Sequence, residues 1–215
     1  MPRDVQEPVT GRGRAKEAAG NDKAVLEAAR LVFAVHGPDA PVSAVAAQAG
    51  VGIASLYRRY PTKVALLQFL CLESMRQLQA IGERAIEEPD AWDGLTMFVR
   101  EGVAMRAGAF ATTADAVKAT EEMWAAAQRG NQTVRRLVEV AQQQGSLRAD
   151  VTAFDLQLLI ELFSRRRPDD GGAHERLLTI ALDGLSARPP CTDLGAPAPT
   201  WATYGGRWRR SEEPL

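Results

Sequence analysis

The side chains able to do covalent or metal chemistry are few and far apart in this sequence. His36 stands beside Gly37 at an expected helix end and His174 follows Gly171-Gly172, while Cys71 falls in an expected helix and Cys191 in a Pro-rich stretch. Zinc sites need ligands at short, regular spacings and disulfide frameworks need several cysteines, so neither a metal, a cofactor nor a disulfide scaffold is indicated. No phosphate-cradling Gly-rich loop and no dinucleotide fingerprint occurs either. Catalysis would need an acid, base or nucleophile constellation that this pattern does not supply, so the reading is that the chain is not an enzyme. What does cluster is positive charge and phenol. From Ala40 to Leu72 there is no acidic side chain, whereas Arg58, Arg59 and Lys63 are basic and Tyr57 and Tyr60 carry hydroxyls. Duplex DNA, with its dense line of phosphates, favours such a surface. The whole chain has 26 basic against 27 acidic residues. Any attraction to nucleic acid is therefore local, unlike that of proteins that coat nucleic acid without sequence preference.

The elements that must position these groups are helical. Residues 42–63 read VSAVAAQAGVGIASLYRRYPTK, which predicts a short helix over 42–49, a stop at Gly50 and a second short helix over 53–59. Two such helices around a Gly-containing turn form a helix-turn-helix, with Ala46 small enough to let them cross closely. Gly50 can take the left-handed conformation that ends the first of them. Val45, Val51 and Leu56 are spaced to pack inward, leaving Ile53, Ala54, Ser55, Tyr57 and Arg59 to face outward. Ahead of this unit Leu26, Ala29 and Phe33, with Val25 and Val32, mark one face of a helix from Asp22 to Gly37-Pro38. Behind it Pro61 is expected to open a long helix that Glu88-Pro89 ends. Further helices are expected over 91–107, 111–117, 119–144, 151–165 and 174–187, and no alternating strand pattern is present. The fold class is all-α.

The stretches AVLEAARLVFAVHG and AGVGIASLYRRYPTK resemble the first helix, the turn, the recognition helix and the start of the fourth helix of the tetracycline-repressor (TetR) family. The resemblance covers residues 21–70 closely and the rest by helical layout. It implies an N-terminal three-helix DNA-binding domain joined to a C-terminal helical domain for ligand binding and dimerisation. It implies a transcriptional regulator, by default a repressor, released from a palindromic operator by a small apolar or aromatic ligand. Carried onto this sequence, base edges fall to Ile53, Ala54, Ser55 and Arg59, with Arg59 the candidate for guanine. Tyr57, Tyr60 and Lys63 would hold phosphates, and Arg58 and Ser43 complete the DNA-binding set. Pro41 departs from the family, standing where many members place a Ser or Thr cap.

For the C-terminal part, the resemblance places the dimer interface on the last two long helices, over 151–187. Leu156, Leu159, Ile160 and Phe163 repeat at i, i+3, i+4 and i+7, and Leu178, Ala181, Leu182 and Leu185 repeat likewise. Leu158, Leu162 and Leu177 add apolar surface on a second face. A ligand cavity would be surrounded by helices bearing Trp92, Met97, Phe98, Met105, Phe110, Met123 and Trp124, with Phe98, Met105 and Trp124 as candidate contacts. Met and aromatic side chains suit apolar ligands.

The expected division is a mobile basic arm over 1–20, the DNA-binding domain over 21–66, the ligand-binding and dimerisation domain over 67–188, and a disordered tail over 189–215. Arg12, Arg14 and Lys16 could add contacts to DNA, and Trp201, Tyr204 and Trp208 are the tail residues that could dock on the body. The N-terminus has no apolar signal-like core and no stretch is long enough to span a bilayer, which predicts a cytoplasmic protein with no membrane partner.

Overall fold

The computed structural model describes residues 11–37, 39–108, 117–164, 173–187 and 200–201, and among these it has eight helices and no strand. They are α1 (Gly11–His36), α2 (Val42–Ala49), α3 (Ile53–Arg59), α4 (Lys63–Ile86), α5 (Ala91–Ala104), α6 (Glu121–Gln143), α7 (Ala153–Ser164) and α8 (Ala173–Leu185). The expected 111–117 helix falls outside the described residues apart from Val117, as does Phe110.

The helix ends follow local chemistry. Gly50 ends α2 at φ +68, a left-handed conformation open to a residue without a Cβ, and its N–H reaches back to the Ala46 and Ala47 carbonyls. Thr62, Asp90 and Thr120 each accept a backbone N–H from the first turn of α4, α5 and α6. The α4 start corrects one expectation: Lys63 is its first residue and Thr62 the cap, so Pro61 lies before the helix. A hydroxyl that satisfies an orphan N–H outcompetes the preset backbone of proline. Of the expected arm over 1–20, residues 1–10 lie outside the described residues, and residues 11–20 are helical. α1 begins at Gly11, because Ala15, Lys16, Glu17, Ala18 and Ala19 are strong helix formers even without an apolar period.

Two buried clusters organise the helices. The first gathers Val25, Leu26, Ala29 and Phe33 of α1, Val45 of α2, Leu56 of α3, and Leu66, Leu67 and Leu70 of α4. The second gathers Ile81 and Ala85 of α4 with Leu95 and Phe98 of α5, Leu137 of α6, Leu156 and Ile160 of α7, and Leu178 and Leu182 of α8. Helix α4 therefore belongs to both. Its far end meets α5 so closely that a Cβ on Gly94 would lie 2.2 Å from the Ala85 carbonyl oxygen. Leu147 and Ser186 form an isolated antiparallel bridge, which ties the segment after α6 to the end of α8.

The expected dimer stripe is corrected by this packing. Leu156, Ile160, Leu178 and Leu182 are buried within the chain itself, and Leu159, Phe163 and Leu185 pack half-buried against the same cluster. The exposed large apolar side chains of α7 and α8 are Leu162, Leu177 and Ile180, which are 68%, 56% and 55% accessible. Two apolar stripes on one helix have the same period, and only the neighbouring helices decide which one turns inward.

Candidate nucleic-acid interface and ligand cavity

Helices α2 and α3 cross at the Gly50 turn, and Leu56 anchors α3 by burying its side chain in the first cluster. That single inward residue turns the rest of the short helix to solvent. Ile53, Ala54, Ser55, Tyr57, Arg58 and Arg59 are all exposed, as is Ser43 on α2. Lys63 is half-buried at the first position of α4. The unpaired N–H groups of a helix start and an ammonium ion in that position both favour an anion.

Two members of the expected DNA-binding set sit differently from expectation. Tyr60 is buried, with its ring centroid 4.9 Å from that of Phe69 and its hydroxyl donating to Asp22 Oδ1 at 2.9 Å. Burial pushes its phenol up to about 12, and the hydrogen bond to the Asp22 carboxylate adds to the shift while Arg59 opposes it. It is a core residue of the α1, α3 and α4 junction, not an outward phenol. Arg59 is exposed but not free: its guanidinium is ion-paired with the other oxygen of Asp22, and its central carbon lies 5.9 Å from the centre of the Tyr60 ring. Asp22 lies 37 positions upstream. Only folding, in which α1 packs on α2 and α4, brings it beside the run that is otherwise free of acid.

Arg30 of α1 is the other notable charge in this half. It is buried, donates to Gln77 Oε1 at 2.9 Å and to Ser74 Oγ at 3.4 Å, and leaves its Nε without a partner. Burial lowers its guanidinium to about 10, against the opposing pull of Glu27.

The second site is a cavity of about 130 Å³ between α4, α6 and α7. Its wall includes Ser74, Met75, Leu78 and Gln79 of α4, Met123, Trp124, Asn131 and Val134 of α6, and Gln157, Ile160 and Glu161 of α7. Trp124 was expected there and lines it. Phe98 and Met105 do not: Phe98 is fully buried in the second cluster and Met105 packs half-buried against it. Phe98 of α5 and Met105, the cap at its end, both pack into the core rather than onto the cavity wall. Asn131 Nδ2 is buried without a hydrogen-bond partner. Trp201, from the stretch expected to be a disordered tail, also lines the cavity; its ring is 5.8 Å from Trp124, edge-on, and 6.0 Å from Phe154. Tyr204 and Trp208 lie outside the described residues. Sequence reading missed the α7 and most of the α4 wall residues because those helices present more than one half-apolar face.

Among the described residues no helix is long and apolar enough to cross a membrane, and no group of three or more His, Cys, Asp or Glu side chains could hold a metal ion.

Two family models match the chain: one described as bacterial regulatory proteins, tetR family, over residues 25–69, and one described as the C-terminal domain of SbtR-like transcriptional regulators, over residues 91–187. The chain is similar to the transcriptional repressor LfrR of Mycolicibacterium smegmatis, with 39% identity over 72 residues, 34% of this chain and 35% of that relative. The match thus spans about a third of the curated relative's length. Two solved structures share 27% identity: a TetR transcriptional regulator from Streptomyces coelicolor (TM-score 0.58, covering 77% of this chain and 98% of that one) and a TetR regulatory protein from Mycobacterium vanbaalenii (0.57, 80% and 99%).

Proposed function

The chain belongs to the tetR family of bacterial regulatory proteins, and from that premise we propose that it represses transcription as a homodimer that leaves a palindromic operator when a small apolar or aromatic ligand enters the α4–α6–α7 cavity. The observation that carries the DNA half of this reading is the outward row on α3. Ile53, Ala54, Ser55, Tyr57 and Arg58 are exposed together beside Lys63 while Leu56 alone turns inward. A helix of this kind enters a major groove with its side chains on base edges. Ile53 and Ala54 suit a thymine methyl group. Tyr57, Arg58, Lys63 and Ser43 suit phosphates, which fix register without reading sequence.

One recognition helix reads only a few base pairs, so a second copy is needed to double the site. Exposed Leu162, Leu177 and Ile180 on α7 and α8 give that copy an apolar surface to cover. The cavity supports the ligand half. Its Met, Leu, Ile and Trp lining suits a ring of roughly benzene size at its present volume, and the buried Asn131 Nδ2 suits an acceptor oxygen on that ring. Helix α4 connects the two sites. Lys63 lies at its start and Ser74, on the cavity wall, follows about 16 Å further along the axis. Only a ligand with different affinity for the bound and released arrangements can move the equilibrium between them.

The test is selection of bound duplexes from a random pool, followed by Arg58→Glu with Lys63→Glu. A palindromic consensus is expected, with a log-log salt slope of about −5 to −7 for the dimer. The double variant is expected to lose at least about a hundredfold in affinity while its helicity is kept. A pool that yields no consensus, or a slope near zero, overturns the reading.

A further inference from the structure

We infer that Asp22 is a built-in competitor for the DNA-facing guanidinium of Arg59, setting how tightly and how selectively the recognition helix binds. The inference rests on the reading of α3 as the DNA-contacting helix. Arg59 is the last residue of α3 and, like the neighbouring exposed Arg58, carries a guanidinium that could make two parallel hydrogen bonds to a guanine edge; of the two it is Arg59 that faces Asp22. In the free protein that capacity is taken. One carboxylate oxygen of Asp22 holds the Arg59 guanidinium and the other accepts from the Tyr60 hydroxyl at 2.9 Å. The Tyr60 ring is in turn seated against Phe69 of α4. The carboxylate is thus fixed in place from α1 rather than swinging in solvent: the Asp22 side chain is 20% accessible and that of Arg59 47%.

The consequence is an exchange. Arg59 reaches a base or a phosphate only by giving up Asp22, and a carboxylate left alone beside the phosphate backbone is repelled by it. Each subunit then gains only the difference between two ionic partners. A guanine, offering two acceptors in the plane of the fork, can outbid the carboxylate; a single phosphate oxygen competes less well. Asp22 therefore lowers overall affinity and penalises non-specific duplex more than the operator. It is a positioning residue that acts through Arg59.

The experiment compares wild type, Asp22→Asn, Arg59→Ala and the double variant, using a duplex carrying the selected consensus and a random-sequence duplex of equal length, over a range of salt. Asparagine keeps the size and the acceptor for Tyr60 but not the charge. For Asp22→Asn the expected result is at least about fivefold tighter binding of the random duplex, a smaller gain on the consensus, and a salt slope steeper by about one per subunit. In the Arg59→Ala background, Asp22→Asn should lose most of that gain, which a general charge effect or a loosened helix would not do. Unchanged or weaker binding by Asp22→Asn, or an equal gain with and without Arg59, overturns the inference even though operator binding stands. Circular dichroism and thermal melting confirm that the variants fold; Asp22→Ser repeats the comparison should the asparagine variant not fold. Absence of any duplex bound by wild type overturns both this inference and the reading beneath it.

Discussion

The two halves of the molecule hold their working residues in different ways. In the N-terminal half the outward row lies within a dozen consecutive residues around α3, and a single buried anchor, Leu56, is enough to aim it. In the C-terminal half the cavity is assembled from positions as distant as Ser74 and Trp201, and no single helix contributes its full wall. A short local site tolerates change in its core provided the anchor holds, because its geometry is set by one turn. A site shared among helices depends on every crossing that spaces them. The comparison teaches that binding of DNA and binding of ligand should respond to different mutations, function failing first in one half and stability first in the other.

The largest effect expected is in the shared core. Leu156→Ala removes a fully buried side chain between α7 and the rest of the second cluster and should cost about 2–5 kcal/mol in denaturant unfolding. By contrast, Leu177→Glu on the exposed face should leave the melting of each subunit within about 0.5 kcal/mol while shifting the sedimentation profile from dimer to monomer. Equal destabilisation by the two would erase the distinction between inward and outward stripes.

Next comes the α4–α5 crossing. Gly94→Ala sets a methyl group against the Ala85 carbonyl and should lower stability by about 1–3 kcal/mol. Gly130→Ala, whose Cβ would meet nothing within 4 Å in the interior of α6, should raise it by about 0.5–1 kcal/mol. Thermal melts of the pair check both signs.

Smaller still are two changes in the N-terminal half that titrate in opposite directions. Arg30 is held in its charged form at a cost, since burial lowers its guanidinium from the ordinary arginine range to about 10. The folded state binds that proton less tightly than the unfolded chain, so the cost is fully present below about 10 and relieved as pH rises from there towards the ordinary arginine range. Arg30→Met should therefore be neutral or stabilising by about 1–2 kcal/mol at neutral pH, by urea unfolding. Tyr60 is the reverse case. Its phenol is raised from 10.0 to about 12, so its contribution is fully present below about 10 and lost as pH rises through about 12. An ultraviolet titration should show one phenol ionising near 12, and Tyr60→Phe should abolish that late step at a cost of about 1 kcal/mol.

Sequence patterns exposed the parts of this fold that local chemistry decides. The Gly50 stop, the inward Leu56 and the outward row on α3 follow from a turn residue and a helical period. The starts of α5 and α6 follow from the caps Asp90 and Thr120. What stayed hidden needed a partner from elsewhere in the chain. Asp22 reaches Arg59 and Tyr60 across 37 and 38 positions, so a stretch without acid of its own acquires one only on folding. Leu156 and Leu162 are equally apolar in the sequence, yet α5 and α6 pack on α7 so that the first is buried and the second left bare. Trp201 lies in a Pro- and Gly-rich stretch with no apolar period of its own, and its neighbours Trp124 and Phe154 are far from it in the sequence.

The close meeting of Ala85 and Gly94 makes α4 a beam with its bearing at one end. Measured along the axis, Ser74 stands about 16 Å from that bearing and Lys63 about 33 Å. If the helix stays straight, a guest molecule that pushes Ser74 aside by 1 Å would swing Lys63 by about 2 Å, so leverage alone would double a small adjustment before it reaches the double helix.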